Sequence, residues 1–362
     1  MEITSVAELA EALIKLKSPR EGCSRFFRGH SDCSYLLEPS IYRRDEKNSS
    51  NDPTYLIKNE DKIIRDVLIN CSDSFNPSDT LFEKLAKMQH YGYATRLLDL
   101  TTNALVALYF SVQENNDKDG ELLVLDIPNE EIKYDDSDLV SVLSAVSLRD
   151  DSFSLKDIIE SSKVFSAIEA IKFCLKNRKI IKVNEDIILK IKVSLNNNPS
   201  QINIKNIFDI YMDLVMLQED ELVKKSIDGE YNDSFIKTFN RQDKIKKLIR
   251  DIRNEKPYFS PDINPDDFRR VVCVQAKKSN PRIAKQQGCF LLFGFDGEKK
   301  TKAEVENSWR RTIVDSDRLI IKRGEAKDNI LKELKSFGIS HQNLFPELDT
   351  QARDILSKYR KN

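Results

Sequence analysis

The sequence predicts an α+β fold: a mixed α/β domain with a compact β-sheet core, interrupted by a mostly helical insertion. Short apolar segments rich in β-branched or aromatic residues recur at RFFRG (25–29), ELLVLDI (121–127), VVCVQA (271–276), GCFLLFGF (288–295) and RLIIKR (318–323), as strands do. Segments with apolar residues three or four apart lie between and beyond them. From about residue 147 to 258 only helical spacing remains, in a stretch rich in Lys, Asn, Ile and Asp whose one proline before Pro257 is Pro199. The domain is therefore expected to comprise residues 1–146 and 259–362, returning to one core around a helical insertion at 147–258.

The elements follow in order. The N-terminal MEITSVAELAEALIKL reads as a short amphipathic helix with Val6, Leu9, Leu13 and Leu16 on one side. A polar loop, RRDEKNSSNDP, precedes a helix expected at 81–91. Thr80 stands three residues before Glu83, the spacing at which each side chain satisfies an exposed backbone N–H of the other. Gly92 is placed to end that helix, and Asn103 to cap the next, over 103–113, which is apolar on all sides and so belongs inside the domain. In the insertion, Ile207, Ile210, Leu214 and Leu217 share a helical face. Two further helices are expected at 326–337, with Ile330, Leu331, Leu334 and Phe337 on one face, and at 347–360.

Composition sets limits on function. The chain has 362 residues, with 58 Lys and Arg against 59 Asp and Glu, a formal charge of −1. A chain that grips nucleic acid non-specifically or lies on an anionic membrane shows a basic surplus; this balance gives no positive support for either, although a local groove stays open. No apolar stretch is long enough to span a bilayer, the N-terminus lacks a signal-peptide layout, and the six cysteines are scattered, so a reduced, cytoplasmic protein without a cysteine metal site is expected. There is no phosphate-binding G-x-x-x-x-G-K-[ST], no G-x-G-x-x-G after a strand and no G-x-S-x-G. With only 10 glycines, few backbone nests are available, and side chains must carry any anion binding.

The segment LAKMQHYGYATRLLDLTTNALVALYFS (85–111) threads Gln89, His90, Tyr91, Arg96 and Asp99 through a mostly apolar run. Gln89 falls on the apolar face of its helix and His90 nearer the rim. The link carrying Arg96 and Asp99 lies between two buried helices, where unpaired charges are costly. Either these two pair with each other or with Gln89 and Arg28, or they line a pocket that a ligand completes. Arg28 follows two phenylalanines on a strand and precedes Gly29, where backbone can approach a ligand closely. In a third cluster, NPRIAKQQGCFLLF (280–293), Arg282 and Gln286 precede a glycine and a strongly apolar strand. Arginine offers a planar fork suited to phosphate or carboxylate, so the residues point to one anion cleft formed by Arg28, Gln89, His90, Arg96, Asp99, Arg282 and Gln286.

At these residues the chain resembles the FRG-domain family, named for the Phe27-Arg28-Gly29 triplet. A second signature, approximately Q-H-x-G-x-x-T-R-L-L-D-W-T-x-N-P-L-x-A-L-Y-F, corresponds to Gln89, His90, Gly92, Thr95 through Asp99, Thr101, Asn103 and Ala107 through Phe110. A third, R-I-x-x-Q-x-G-x-F, corresponds to Arg282, Ile283, Gln286, Gly288 and Phe290, and GISHQNLFPELD (338–349) resembles the family's close. Two positions depart from the pattern: His30 stands where Gln is usual, a titratable ring for an amide, and Leu100 where Trp is usual.

The resemblance implies a bacterial or phage-associated effector, similar in company to toxin and anti-phage defence systems, whose insertion meets a phage or antitoxin protein. Three functions follow from it. By fold analogy, an NAD-dependent ADP-ribosyltransferase-like enzyme would hold NAD phosphates on Arg28, with Arg96 as second anchor, Asp99 positioning Arg96, and His30, Gln89 and Arg282 completing the anion pocket. His90 and Tyr91 would meet the nicotinamide ribose or ring, and Gln286 would stand near the scissile bond. That chemistry relies on a glutamate, and Glu60 and Glu121 are candidates between which spacing does not select. A nuclease would instead use His30, His90 and Asp99 on a nucleic-acid phosphodiester, although no compact metal-ligand spacing is present and no metal is expected. A sensor would bind a nucleotide or phage component without turnover.

Overall fold

A computed structural model describes residues 1–43, 55–196, 204–278, 280–313 and 318–359. The polar loop RRDEKNSSNDP, apart from Arg43, lies outside the described residues. Two compact units form: Met1–Leu148 with Arg270–Gly294 and Lys302–Asn362, and Arg149–Arg269 with Phe295–Thr301.

The first unit is built on a mixed eight-stranded sheet, and the fold is α+β as the sequence predicts. Its strands are β1 (Glu2–Ile3), β2 (Cys23–His30), β3 (Leu97–Thr101), β4 (Gly120–Pro128), β5 (Ile132–Tyr134), β6 (Val271–Gln275), β7 (Gly288–Phe293) and β8 (Leu319–Ile321). They are ordered β1-β8-β4-β2-β3-β7-β6-β5, with only the two edge pairs, β1–β8 and β5–β6, parallel. Alternation along each strand sorts side chains to two faces. On one, Phe26, Leu98, Leu100, Leu123, Leu125 and Leu291 pack with Trp309 and Leu37. On the other, Phe27, Leu122 and Val124 meet the helices Val6–Leu16, Ala104–Val112 and Glu325–Ser336. Beside them, Leu97, Phe290 and Leu292 meet the helices Glu60–Asn70, Leu81–His90 and Asp138–Ala145. Covered on both faces, β4 reads as one continuous apolar run.

Local signals in the sequence are realised. Thr80 and Glu83 form the reciprocal capping box at the start of Leu81–His90, and the Asn103 side chain accepts from Leu105 N and Val106 N. Gly92 adopts a φ of +86°, the left-handed conformation that ends a helix without a side-chain clash. Two expectations change. The link between these helices is not irregular: Leu97–Thr101 is a central strand, paired with β7 from Leu97↔Leu292 to Thr101↔Gly288. Gly29 does accept a close backbone approach, but from within the protein. A Cβ there would stand 2.0 Å from Ala107 O and 2.7 Å from Ser111 N, so the Ala104–Val112 helix lies flush on β2. Gly120 on β4 does the same beneath Ser111 O.

The second unit is helical, with the segments Leu155–Lys176, Glu185–Asn196, Ile204–Met216, Glu221–Arg241 and Asp243–Arg253. Ile207, Ile210 and Leu214 are buried together with Ala167, Ala170, Ile171 and Ile227, the stripe expected from their spacing. Compared with the expected span, this unit continues to Arg269 and takes in Phe295–Thr301. The reason is aromatic packing: Phe295 lies 5.8 Å from the rings of both Phe153 and Phe268.

Candidate functional site

The site begins with a break in sheet pairing. β2 pairs with β4 along its whole length and β3 with β7 along its own, yet β2 and β3 share a single pair, Phe27↔Thr101. Next to it lies a cavity of about 230 Å³, lined from β2 by Phe27 through Ser31 and from β3 by Asp99 through Thr101. In place of a ladder bond, Arg28 Nη1 donates to Asp99 O at 2.6 Å across the gap. Ala86 and Gln89 come from one helix layer, Ala107 and Phe110 from the other, Gln286 from the turn before β7 and Cys289 from the start of β7.

Arg28 is the centre of this arrangement. Its Nε donates to His30 Nε2 at 3.0 Å, two residues along the same strand and hence on the same face. Among the described residues no carboxylate forms an ion pair with it; its partners are a neutral ring and a carbonyl. Burial pushes its pKa down to about 10, the nearby Asp99 carboxylate only partly opposing this, so the guanidinium stays charged and under-solvated. A desolvated cation without a counter-ion is a recognition element for an anion.

His30 is 2 % exposed. Burial first, then Arg28, Arg43, Arg310 and Arg318, push its pKa down to about 3. It is neutral at pH 7. Because Nε2 accepts from Arg28, the proton rides on Nδ1, which has no hydrogen-bond partner among the described residues. A histidine in the unfolded chain protonates near pH 6.5, so between that pH and 3 the unfolded state binds more protons and stability falls as pH is lowered. The contribution is complete above 6.5 and is lost progressively towards 3. His30→Gln, which keeps an acceptor for Arg28 but takes up no proton, is expected to remove about 2 kcal/mol of the stability lost between pH 6.5 and 5, read from urea unfolding at the two pH values.

Asp99 and Gln89 form the opposite wall. Gln89 Nε2 donates to Asp99 Oδ2 at 3.0 Å and to Leu97 O at 3.4 Å, while its Oε1 accepts from Thr95 Oγ1 at 2.7 Å. The amide is thus locked, and it presents the Asp99 carboxylate, the only acidic group lining the cavity among the described residues. His90 Nε2 lies 2.6 Å from Glu347 Oε1. Burial and the Arg282 guanidinium nonetheless hold its pKa below the usual value, outweighing Glu347 and Asp99. Arg282 donates to His90 O at 3.2 Å and stacks on Phe345 at 4.4 Å, and burial likewise lowers its pKa. Gln286 Nε2 donates to Leu344 O and its carbonyl accepts from Thr101 Oγ1 at 2.7 Å, tying β3 to the turn before β7. His90 and Arg282 also wall a second cavity of about 450 Å³, shared with Lys87, Lys277 and Glu347.

The structure therefore brings Arg28, His30, Gln89, His90, Asp99, Arg282 and Gln286 to one cavity, and leaves two residues of the expected set elsewhere. Arg96 is wholly buried and paired: Nε donates to Glu60 Oε1 at 2.9 Å, Nη2 to Glu60 Oε2, and Nη1 to Phe293 O at 3.1 Å. It does not line the cavity, and Asp99 does not position it. Tyr91 is 64 % exposed and borders the second cavity, edge-on to His90. The two glutamates considered for transferase chemistry are committed to ion pairs, Glu60 with Arg96 and Glu121 with Arg318. Arg43 was not foreseen. It lines the cavity, and its one legible signal was the polar loop it begins. Among the described residues no cluster of three or more His, Cys, Asp and Glu side chains is grouped to hold a metal ion, and no helix is long and apolar enough to cross a membrane.

Fold and cavity define an α+β protein with an arginine-lined cleft at a break in its sheet. The FRG-domain family model matches residues 24–120, so that span of the chain is similar to an FRG domain. The matched span includes Arg28, His30, Gln89, His90 and Asp99 but not Arg282 or Gln286. No curated protein and no solved structure matches the chain.

Proposed function

We propose that the cavity binds a phosphate-bearing nucleotide and that the protein acts on NAD in an ADP-ribosyltransferase-like reaction. One observation carries this reading: Arg28, desolvated and without a carboxylate partner among the described residues, lines a cavity whose other wall is a single oriented carboxylate. Arg28 anchors the anion. Asp99, held by Gln89, takes the place left open by Glu60 and Glu121 and opposes the positive charge that builds on the ribose carbon as nicotinamide departs with the bond's electron pair. The acceptor's attacking atom then bonds to that carbon and releases its proton. A neutral His90 protonated at Nε2, the nitrogen 2.6 Å from Glu347 Oε1, would keep Nδ1 as an acceptor for such a proton. About 230 Å³ is below the ~300–1,000 Å³ of sites that enclose a drug-sized ligand, which suits one end of a dinucleotide rather than all of it.

An effector role in toxin or anti-phage systems is part of the same proposal. The test is incubation of purified protein with NAD and, separately, with RNA and DNA, followed by mass analysis of every component. Release of nicotinamide that depends on Arg28 and Asp99 is the expected result. Cleaved strands with intact NAD would replace the reading with a phosphodiesterase, and retained but unaltered nucleotide would replace it with a sensor.

A further inference from the structure

We infer that the cavity is built for two adjacent phosphates, so that its ligands are organic diphosphates, with Arg43 as the second anchor beside Arg28. This rests on the nucleotide reading above and narrows it to a ligand class. Arg43 ends a single helical turn, Ser40–Tyr42, and lines the same cavity as Arg28. Its Nε and Nη2 both donate to Glu38 O, at 3.3 and 3.2 Å, so one edge of the guanidinium is pinned by a neutral carbonyl and Nη1 is left without a partner among the described residues. Arg28 is arranged alike. Nε and Nη1 are held by His30 and Asp99 O, and Nη2 is left over. Among the described residues, two guanidiniums, each fixed by neutral acceptors and each with a donor to spare, line one cavity whose single carboxylate, Asp99, is ion-paired to neither.

Their proximity is electrostatically evident: Arg43 helps to depress the pKa of Arg28, and both depress that of His30. Holding two like charges together in a partly desolvated site costs free energy that a single monoanion only partly offsets. Two linked phosphates supply at least one negative charge per guanidinium. A diphosphate gives each guanidinium a phosphate group of its own, whereas a monophosphate, close to dianionic at pH 7, has to serve two separately pinned guanidiniums from one group.

Isothermal titration of the full chain with AMP and with ADP tests this. ADP is expected to bind at least about tenfold more tightly than AMP. Arg43→Gln should erase that difference by weakening ADP while changing AMP by less than about twofold, and Arg43→Lys, which keeps charge without the planar fork, should restore part of it. Equal affinity for AMP and ADP in the parent, or an Arg43→Gln loss of the same size for both, overturns the inference and leaves the nucleotide reading standing. Absence of binding by either nucleotide overturns both. Should Arg43→Gln fail to fold, the parent's AMP-to-ADP ratio still decides.

Discussion

Arg28→Ala is expected to weaken nucleotide binding by about 100-fold or more and to abolish turnover, while the protein folds and melts close to the parent. The asymmetry follows from what Arg28 touches. Its protein partners are His30 Nε2 and the carbonyl of Asp99, so truncation leaves no buried anion behind. What disappears is the charge that a bound phosphate would meet. Relief of the Arg28 desolvation penalty offsets the two lost hydrogen bonds. Arg28→Lys retains the charge but cannot donate at once to His30 and across the β2–β3 gap, and should recover only part of the affinity. Calorimetric binding alongside thermal unfolding checks both halves. Full binding by a well-folded Arg28→Ala protein would remove this cavity as the site.

Arg96→Ala is expected to show the reverse pattern, a loss of about 3–5 kcal/mol in stability measured by urea unfolding, with nucleotide affinity retained by the fraction that folds. Glu60 is 1 % exposed, and Arg96 meets both of its oxygens. Removing the guanidinium strips a buried carboxylate of its counter-ion and frees the Phe293 carbonyl on β7. The charge pair as a whole contributes less than this figure, because both ions lost their hydration to form it. The double variant Arg96→Met with Glu60→Leu should therefore recover most of the loss. An unchanged urea midpoint for Arg96→Ala would show the pair to be dispensable.

The contrast between these two arginines marks where sequence reasoning reached and where it stopped. The helix Leu81–His90 was legible to its caps because the capping box and its stop are local, satisfied within a few residues. β2, β4, β6, β7 and β8 were legible because their apolar, β-branched runs exceed what a loop tolerates. β3 was not, since it is only five residues long with an aspartate in the middle, and its pairing partner β7 begins at Gly288. That omission misdirected the reading of Arg96. Taken as a turn, Arg96 and Asp99 looked like mutual partners. In an extended segment, an offset of three sends them to opposite faces, one to Glu60 and the other to the cavity. Arg43 was hidden for another reason: a lone arginine at the start of a polar loop carries no periodicity, and only the fold places it beside Arg28.

The triplet that names the family divides its work between packing and charge. All three residues line the cavity, but Phe27 also fills the core and Gly29 admits a helix backbone, while Arg28 between them brings the cation. Transplanting Phe-Arg-Gly into a strand of some unrelated scaffold would therefore not carry the anion anchor with it, unless that scaffold also offered a helix pressed against the third residue and a neighbouring strand that lets go after a single rung.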